Sequence, residues 1–567
     1  MTNWTEVTKA GRRLMLLGGL FLAASACQDL QVDNLVDPDR ERATSNPEDV
    51  QAFIGGAFYP TFYEALHDIT QAISLFPTKG GEMTATMAGQ GTLLQWEDLV
   101  EPGQPQDNGA VLSLGNGPHG PRMFWADVTS AATVAYDGLQ ILNEGMEITE
   151  GGQDVTARAR AFSKLIQGWA WGYLGLMFDE AHVLHESVDI PSDPDGLWEV
   201  TLESLVPYEE VVEAALSSLD EAIQVAQQNP GVVHFPSVSE SPLWFGTADP
   251  MSNTLFIEMA NTLAARILVL AARSPEQRTQ VDWNRVLSYT ANGLTSDVEF
   301  QLSTSRESEL LLWAQNNTAS GERNQRWDYR AIGPADQSGA YQAWISSPIQ
   351  NRDRFEIVTP DRRITGETPT SNGSYTYYRA DDNGFVPDRG RYLYSAYQWR
   401  RHAIRNNLTG DELTGYQQGR FPLISADENN LLRAEALLRT GDAAGAAELI
   451  NITRTRPQTI DGVQYDGLPP VTANGVPEVD GECVPRLDSG ACGDLLTAIR
   501  YERMIELAAT DVFRGYADSR GWGTLEDGHM QHFPVPGNIL DQYGMSNYTY
   551  GGVGNEWSAT YGPATLP

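Results

Sequence analysis

Residues 426–439, Ala-Asp-Glu-Asn-Asn-Leu-Leu-Arg-Ala-Glu-Ala-Leu-Leu-Arg, run through Thr440-Gly441-Asp442 into Ala443-Ala444-Gly445-Ala446-Ala447-Glu448-Leu449-Ile450-Asn451, and this stretch decides the fold class. Both halves carry apolar residues at helical spacing. Between them Gly441 supplies a C-terminal stop and Asp442 an immediate N-cap, so the spacing predicts helices over Ala426–Arg439 and Ala443–Thr455 folded back on each other. Small side chains at Ala434, Ala436, Ala443, Ala444, Ala446 and Ala447 allow the two to approach closely.

Working outward, helical periodicity recurs at Phe124–Met146, Val155–Phe178, Pro207–Gln227, Asn253–Ala272 and Trp283–Leu294, and a last helix is expected over Asp494–Thr510 before an irregular C-terminal segment. Val155–Phe178 is apolar nearly all round, the pattern of a helix buried among others. Asn46-Pro47-Glu48-Asp49 has the cap, first-turn proline and acids of a helix start. The hairpin at 426–455 resembles a tetratricopeptide repeat, without strict copies at a fixed period. From Thr78 to Met123 and from 300 to 420 the period is lost; residues 327–399 hold 13 aromatics, about twice the 9% of the whole chain, with alternation at Tyr375-Thr376-Tyr377. The expected fold is therefore mainly α, a degenerate tetratricopeptide-like hairpin scaffold (about 46–295 and 424–510) with long irregular loops and short β-hairpins in an insertion at about 296–423.

The N-terminus sets the compartment. Lys9, Arg12 and Arg13 precede an apolar run from Leu14 to Ala24, then Ser25-Ala26-Cys27. About 11 apolar residues are too few to span a bilayer, so residues 1–26 read as a lipoprotein signal peptide, with Cys27 acylated and 27–45 as a tether. An ordinary signal peptide with an incidental cysteine is the alternative. A formal charge of −37 disfavours nucleic acid as a ligand, because that partner is captured by clustered Lys and Arg. Cys483 and Cys492, nine positions apart in a Gly- and Pro-rich loop, are a disulfide candidate in an oxidising compartment, against the alternative of free thiols.

Taken in order, several stretches resemble the SusD/RagB family: Asn46-Pro47-Glu48-Asp49 into Gly56-Ala57-Phe58-Tyr59, Ala157 through Phe178, Leu431–Leu438 with Gly441-Asp442, and Arg454-Thr455-Arg456. The strongest local likeness is Ile499-Arg500-Tyr501-Glu502-Arg503-Met504-Ile505-Glu506-Leu507, followed by Arg514, Asp518, Arg520, Trp522 and Phe533-Pro534-Val535-Pro536. The sequence departs from the family at Thr510-Asp511, where Glu-Gly is usual, and by one extra residue between Arg514 and Asp518. The resemblance implies a non-enzymatic surface lipoprotein of the outer membrane that captures a glycan, or a peptide, and works with a SusC-like TonB-dependent transporter. It implies no cofactor.

The residues themselves leave rivals. Glu502, Arg503 and Glu506 on one helix suit either a catalytic acid cluster or an ion-pair network, and the family likeness suggests that they tie the helix to Arg514 and Asp518. His182 and His185 form a possible metal pair without a third ligand, so a surface loop is the simpler reading. Asp381-Asp382-Asn383-Gly384 with Asp388 has the oxygen density of a calcium loop but not the EF-hand spacing, and reads as a hairpin turn. Flat rings suit the C–H faces of sugars, which makes Trp96, Trp327, Tyr341 and Trp344 candidate ligand-binding residues; the alternative is that they fill the core of the irregular half. A helical-repeat scaffold for outer-membrane assembly and an anchored glycoside hydrolase are the two competing functions.

Overall fold

A computed structural model describes residues 46–58, 80–85, 121–302, 325–348, 351–380, 395–401 and 419–545, apart from 192, 242, 400, 461, 509, 512 and 526–530. Cys27, Trp96 and the Asp381–Asp388 loop lie outside the described residues. The chain divides into two units, Met1–Val50 and Gln51–Pro567. Asn46 caps α1 (Pro47–Gly55), which begins in the first unit: the Asp49 N–H donates to Asn46 Oδ1 at 2.9 Å.

The second unit is a succession of helix pairs. α2 (Pro121–Asn143) packs on α3 (Thr156–Met177), α3 on α5 (Tyr208–Gln228), α5 on α6 (Asn253–Leu270), α6 on α8 (Trp283–Ala291), and α8 on α11 (Ala426–Arg439). Between these pairs lie α4 (Pro194–Ser204) and α7 (Pro275–Gln280). α3 is buried on every side, from Phe162 and Leu165 to Trp171 and Tyr173. Its glycines are where neighbours come closest: a Cβ on Gly168 would meet the Ala215 carbonyl oxygen of α5 at 2.8 Å, and one on Gly172 would meet Ile267 of α6 at 2.3 Å. α6 is long and apolar enough to cross a membrane, yet it buries Arg266 in an ion pair with Glu428 of α11, as a core helix does.

The helical hairpin at 426–455 forms as expected. α11 ends at Arg439, Gly441 takes a φ of +99° that suits a residue without a Cβ, and α12 (Ala443–Arg454) starts on an Asp442 side chain that accepts from the Gly445 N–H at 2.9 Å. Both helices pack against α13 (Leu495–Glu506) around Ala434, Ala447, Ile450, Val471, Leu495 and Ile499. Cys483 sits in this cluster, bonded to Cys492 at 2.05 Å. Closing a nine-residue separation stabilises by about 2.5 kcal/mol in the chain-entropy account. The double Cys483→Ser/Cys492→Ser variant is therefore expected to lose that much in urea unfolding, and a midpoint equal to that of the parent chain would contradict it.

The C-terminal segment corrects the sequence reading. The helix expected to run to Thr510 stops at Glu506, and the stretch taken as irregular contains α14 (Arg514–Trp522) and α15 (Gly537–Gln542). Asp511 starts α14 by accepting the Phe513 and Arg514 N–H groups at 3.0 and 2.9 Å. Phe533 lies beside the end of α3, its N–H donating to the Met177 carbonyl at 2.7 Å.

Six antiparallel strand pairs are present among the described residues: β2 (Thr149–Glu150) with β3 (Gln153–Asp154), β4 (Glu180–His182) with β5 (Leu205–Pro207), β11 (Gln458–Ile460) with β12 (Val463–Tyr465), and three pairs that involve the insertion. The insertion leaves on β6 (Val298–Leu302) and returns on its partner β10 (Gly419–Ile424). Inside it, β7 (Gln325–Trp327) pairs with β1 (Met83–Ala85), which brings the first long loop to the insertion, and β8 (Thr376–Tyr378) pairs with β9 (Tyr397–Trp399), the short hairpin that the aromatic alternation predicts. Two short helices, α9 (Tyr329–Ile332) and α10 (Ala340–Ile345), complete it.

Candidate functional site

The sequence names three described aromatics, and the structure buries all three. Trp327 is 1% exposed, its backbone carbonyl accepting from Ser395 Oγ at 2.7 Å. Tyr341 is 4% exposed and lies flat on Gly333, where a Cβ would come within 2.1 Å of its ring. Burial pushes its hydroxyl pKa upward. Trp344 is 8% exposed and stands 6.3 Å from Tyr341, with Tyr329 5.4 Å away on another side. An irregular segment without long helices needs a core of its own, and these rings supply it.

The ring system continues to the surface through residues that the sequence reading missed. Phe355 stacks on Tyr329 at 4.1 Å with 16° between planes, and is itself only half-buried. Tyr329 is locked beneath it by accepting the Phe355 N–H at 2.9 Å and donating to the Phe355 carbonyl at 2.5 Å. Alongside runs β8, whose Tyr377 and Tyr378 are half-buried too. Tyr378 OH donates to Glu356 at 3.0 Å, and Tyr397 OH accepts from the Ile357 N–H at 2.8 Å, so residues 355–357 and the β8–β9 hairpin form one ledge. Arg352 lies 4.5 Å over Trp344, and Arg379 5.1 Å over Tyr377. Neighbouring strand positions face opposite ways, so Phe355, Glu356 and Tyr378 gather on one face of the hairpin and Tyr377, Arg379 and Gln398 on the other, each a half-open ring edged by polar groups that suits a flat ligand with hydroxyls at its rim.

The other concentration of charge is wholly internal. Arg363 of the insertion reaches Glu502 at 2.7 and 2.9 Å, Glu506 at 2.8 Å and Asp361 at 2.8 Å. Glu506 also takes Arg401 at 2.8 Å and Tyr375 OH at 3.1 Å; Glu502 takes Thr453 Oγ1 at 2.9 Å. Burial works against the Asp361 carboxylate, but Arg363 and Tyr501 outweigh it and hold its pKa below the usual range. On the same helix Arg503 donates to Asp518 of α14 at 2.7 and 2.9 Å, and Arg514 lies 3.4 Å from Asp518. The tie to Asp518 and Arg514 that the sequence suggests is thus made by Arg503, whereas the two glutamates turn to the insertion. Carboxylates saturated by guanidinium groups and buried hydroxyls are not placed to exchange protons with a substrate. Asp511, at the departure from the family pattern, pairs with Arg266 at 3.2 Å and accepts from Tyr173 OH.

His182 and His185 do not form a metal pair. His182 is bonded through Nδ1 to Ser204 Oγ at 2.8 Å and through Nε2 to Tyr543 OH at 2.7 Å, and burial lowers its pKa to about 4. His185 is exposed and packs beside Trp171 at 5.2 Å. No group of three or more His, Cys, Asp or Glu side chains placed to hold a metal ion occurs among the described residues.

No family model and no curated protein matches the sequence. Solved structures do match. A SusD superfamily protein from Bacteroides thetaiotaomicron is 14% identical at a TM-score of 0.52, over 90% of this chain and 99% of that one. Another, from Parabacteroides distasonis, is 11% identical at 0.54, over 88% and 98%. Surface glycan-binding protein A from Bacteroides uniformis is 14% identical at 0.50, over 89% and 99%. Successive helix pairs carrying a strand-poor insertion, matched along about nine-tenths of the chain by SusD superfamily structures, give this protein the SusD fold.

Proposed function

We propose that this protein captures a glycan at the outer surface of the outer membrane, held there by lipid on Cys27, and passes it to a TonB-dependent transporter without covalent chemistry. The observation that carries the reading is the pair of half-open rings Phe355 and Tyr378, backed by Tyr329 and Trp344 and edged by Arg352 and Glu356, with Tyr377 under Arg379 on the other face of the same hairpin. Support comes from the fold shared with a surface glycan-binding protein of Bacteroides uniformis. The hydrolase rival loses its best sequence candidates, because Glu502 and Glu506 are engaged by Arg363 and Arg401.

Two measurements test it. Affinity electrophoresis through gels containing polysaccharides is expected to retard the parent chain and to retard the Phe355→Ala/Tyr378→Ala variant far less; equal mobility of the two in every gel counts against the ledge. Co-purification from gently solubilised outer membranes is expected to recover a TonB-dependent barrel in near-equal amount. Recovery with assembly factors instead favours the scaffold.

A further inference from the structure

The geometry points to an anionic glycan, one bearing uronate or sulfate groups, with Arg379 as its charge contact; this rests on the glycan-binding reading above. Positive charge is distributed very unevenly in this acidic chain. Residues 321–405 hold 13 arginines against 10 acids, whereas all other residues hold 25 basic side chains against 65 acidic ones. Solubility does not call for this excess, which a net charge of −37 already serves.

Part of it is structural. Arg363 and Arg401 are consumed by the buried carboxylates of α13, and Arg330 is paired with Asp328 at 2.6 Å. Four described arginines remain at partly exposed positions: Arg352, Arg354, Arg362 and Arg379. Arg362 spends NH1 on the Thr359 and Gly366 carbonyls. Arg352 is held over Trp344 by donating to the Ser347 and Ile345 carbonyls at 3.1 and 3.2 Å. Arg354 donates to the Arg379 carbonyl at 3.4 Å, which ties the irregular segment around it to the end of β8.

Arg379 differs from these. Its backbone N–H is fixed to the Ala396 carbonyl at 2.7 Å, its Nε–H donates to Gln398 Oε1 at 3.1 Å, and its guanidinium lies over the half-buried Tyr377 ring. The side chain is thereby oriented at its inner edge, while no described carboxylate pairs with its terminal nitrogens. A guanidinium stacked on a ring and fixed through Nε presents the two-pronged edge that matches a carboxylate or sulfate, beside the Tyr377 ring that takes the sugar face. Asp353 and Glu356 are near in sequence, but Arg352, Arg354 and Arg379 outnumber them three to two, and Glu356 is held by Tyr378, whose side chain faces away from that of Tyr377.

The test is calorimetric titration of the full chain with matched polymers: polygalacturonate against its methyl-esterified form, and a sulfated galactan against its desulfated form. At least one acidic member is expected to bind about ten- to hundredfold more tightly than its neutral counterpart, the worth of one charge-assisted bidentate contact. Which pair responds tells carboxylate from sulfate. Arg379→Gln is expected to remove that preference with the unfolding temperature unmoved, and Arg420→Gln, at the distant exposed pair with Asp249, to keep it. Equal affinity within both pairs, or a preference that survives Arg379→Gln, overturns the inference and leaves glycan binding standing. Failure of every polymer, neutral and acidic, overturns both.

Discussion

Arg363→Met is expected to lower the unfolding free energy by about 3–5 kcal/mol, the cost of removing one partner from a buried ionic cluster. One guanidinium serves Asp361, Glu502 and Glu506, all fully buried. Without it Glu506 keeps Arg401 at 2.8 Å and Glu502 keeps a longer approach from Arg454 at 3.6 Å. Asp361 is left with the Tyr501 hydroxyl at 2.7 Å and the backbone N–H of residue 363 at 2.9 Å. Three carboxylates in a low-dielectric site then repel one another, and at least one must take up a proton or draw in water. The strain falls where the insertion meets α13, so limited proteolysis is expected to cut the variant first around residues 359–376. The control is Arg420→Met, whose ion pair with Asp249 joins side chains 45% and 67% exposed and is worth under about 1 kcal/mol. Urea midpoints that fall by the same small amount in both variants would sink the idea that this cluster holds the insertion in place.

The same cluster explains which parts of the molecule were legible in sequence. The hairpin of α11 and α12 was readable almost to the residue because its information is local: Ser425 and Asp442 cap, Gly441 turns, and the apolar period shows the buried face. α3 was legible because a helix apolar on all sides has few other places to go. α14 was not, since it is buried on all sides with Arg514, Asp518 and Arg520 interrupting Tyr516, Ala517 and Trp522, and apolar periodicity is blind to buried positions satisfied by ion pairs and carbonyls. α4 carries a readable start at Asp193-Pro194, where the Asp193 side chain accepts from the Gly196 N–H at 2.8 Å. In the insertion, aromatic richness does not tell which rings turn outward. Trp327, Tyr341 and Trp344 pack inward, while Phe355, Tyr377 and Tyr378 reach the surface. Composition cannot sort rings into core and ledge in a segment that lacks a helical period. Nor does any spacing reveal that Arg363 meets a glutamate 139 positions later.

Acidification is expected to destabilise the protein continuously from about pH 6.5 to about pH 2, in two adjoining windows with separate causes. His182 has a pKa lowered to about 4 by burial, against an ordinary 6.5, so between these values the unfolded chain binds a proton that the folded chain does not. Stability therefore falls as pH drops through that range. Glu435 takes over below it. Burial disfavours its carboxylate, but Arg278, at 2.7 and 3.0 Å, outweighs burial and holds the pKa at about 2 against 4.5. A folded pKa below the unfolded one means stability fully present above pH 4.5 and lost toward pH 2, on the order of 3 kcal/mol for this group. The loss is structural as well as electrostatic, because Arg278 also meets Asp518 at 3.1 Å and Asp518 is the acceptor for Arg503. Urea unfolding at half-unit pH intervals resolves the two windows. His182→Asn is expected to reduce the slope between pH 6.5 and 4 without flattening it, because burial lowers the pKa of His532 as well. Glu435→Gln is expected to start from a lower stability and to reduce the slope below pH 4.5 by about 1.4 kcal/mol per pH unit, the value for one proton. An unchanged slope in the glutamine variant would move the acid sensitivity of this fold away from the junction of α7, α11, α13 and α14 and onto its surface carboxylates.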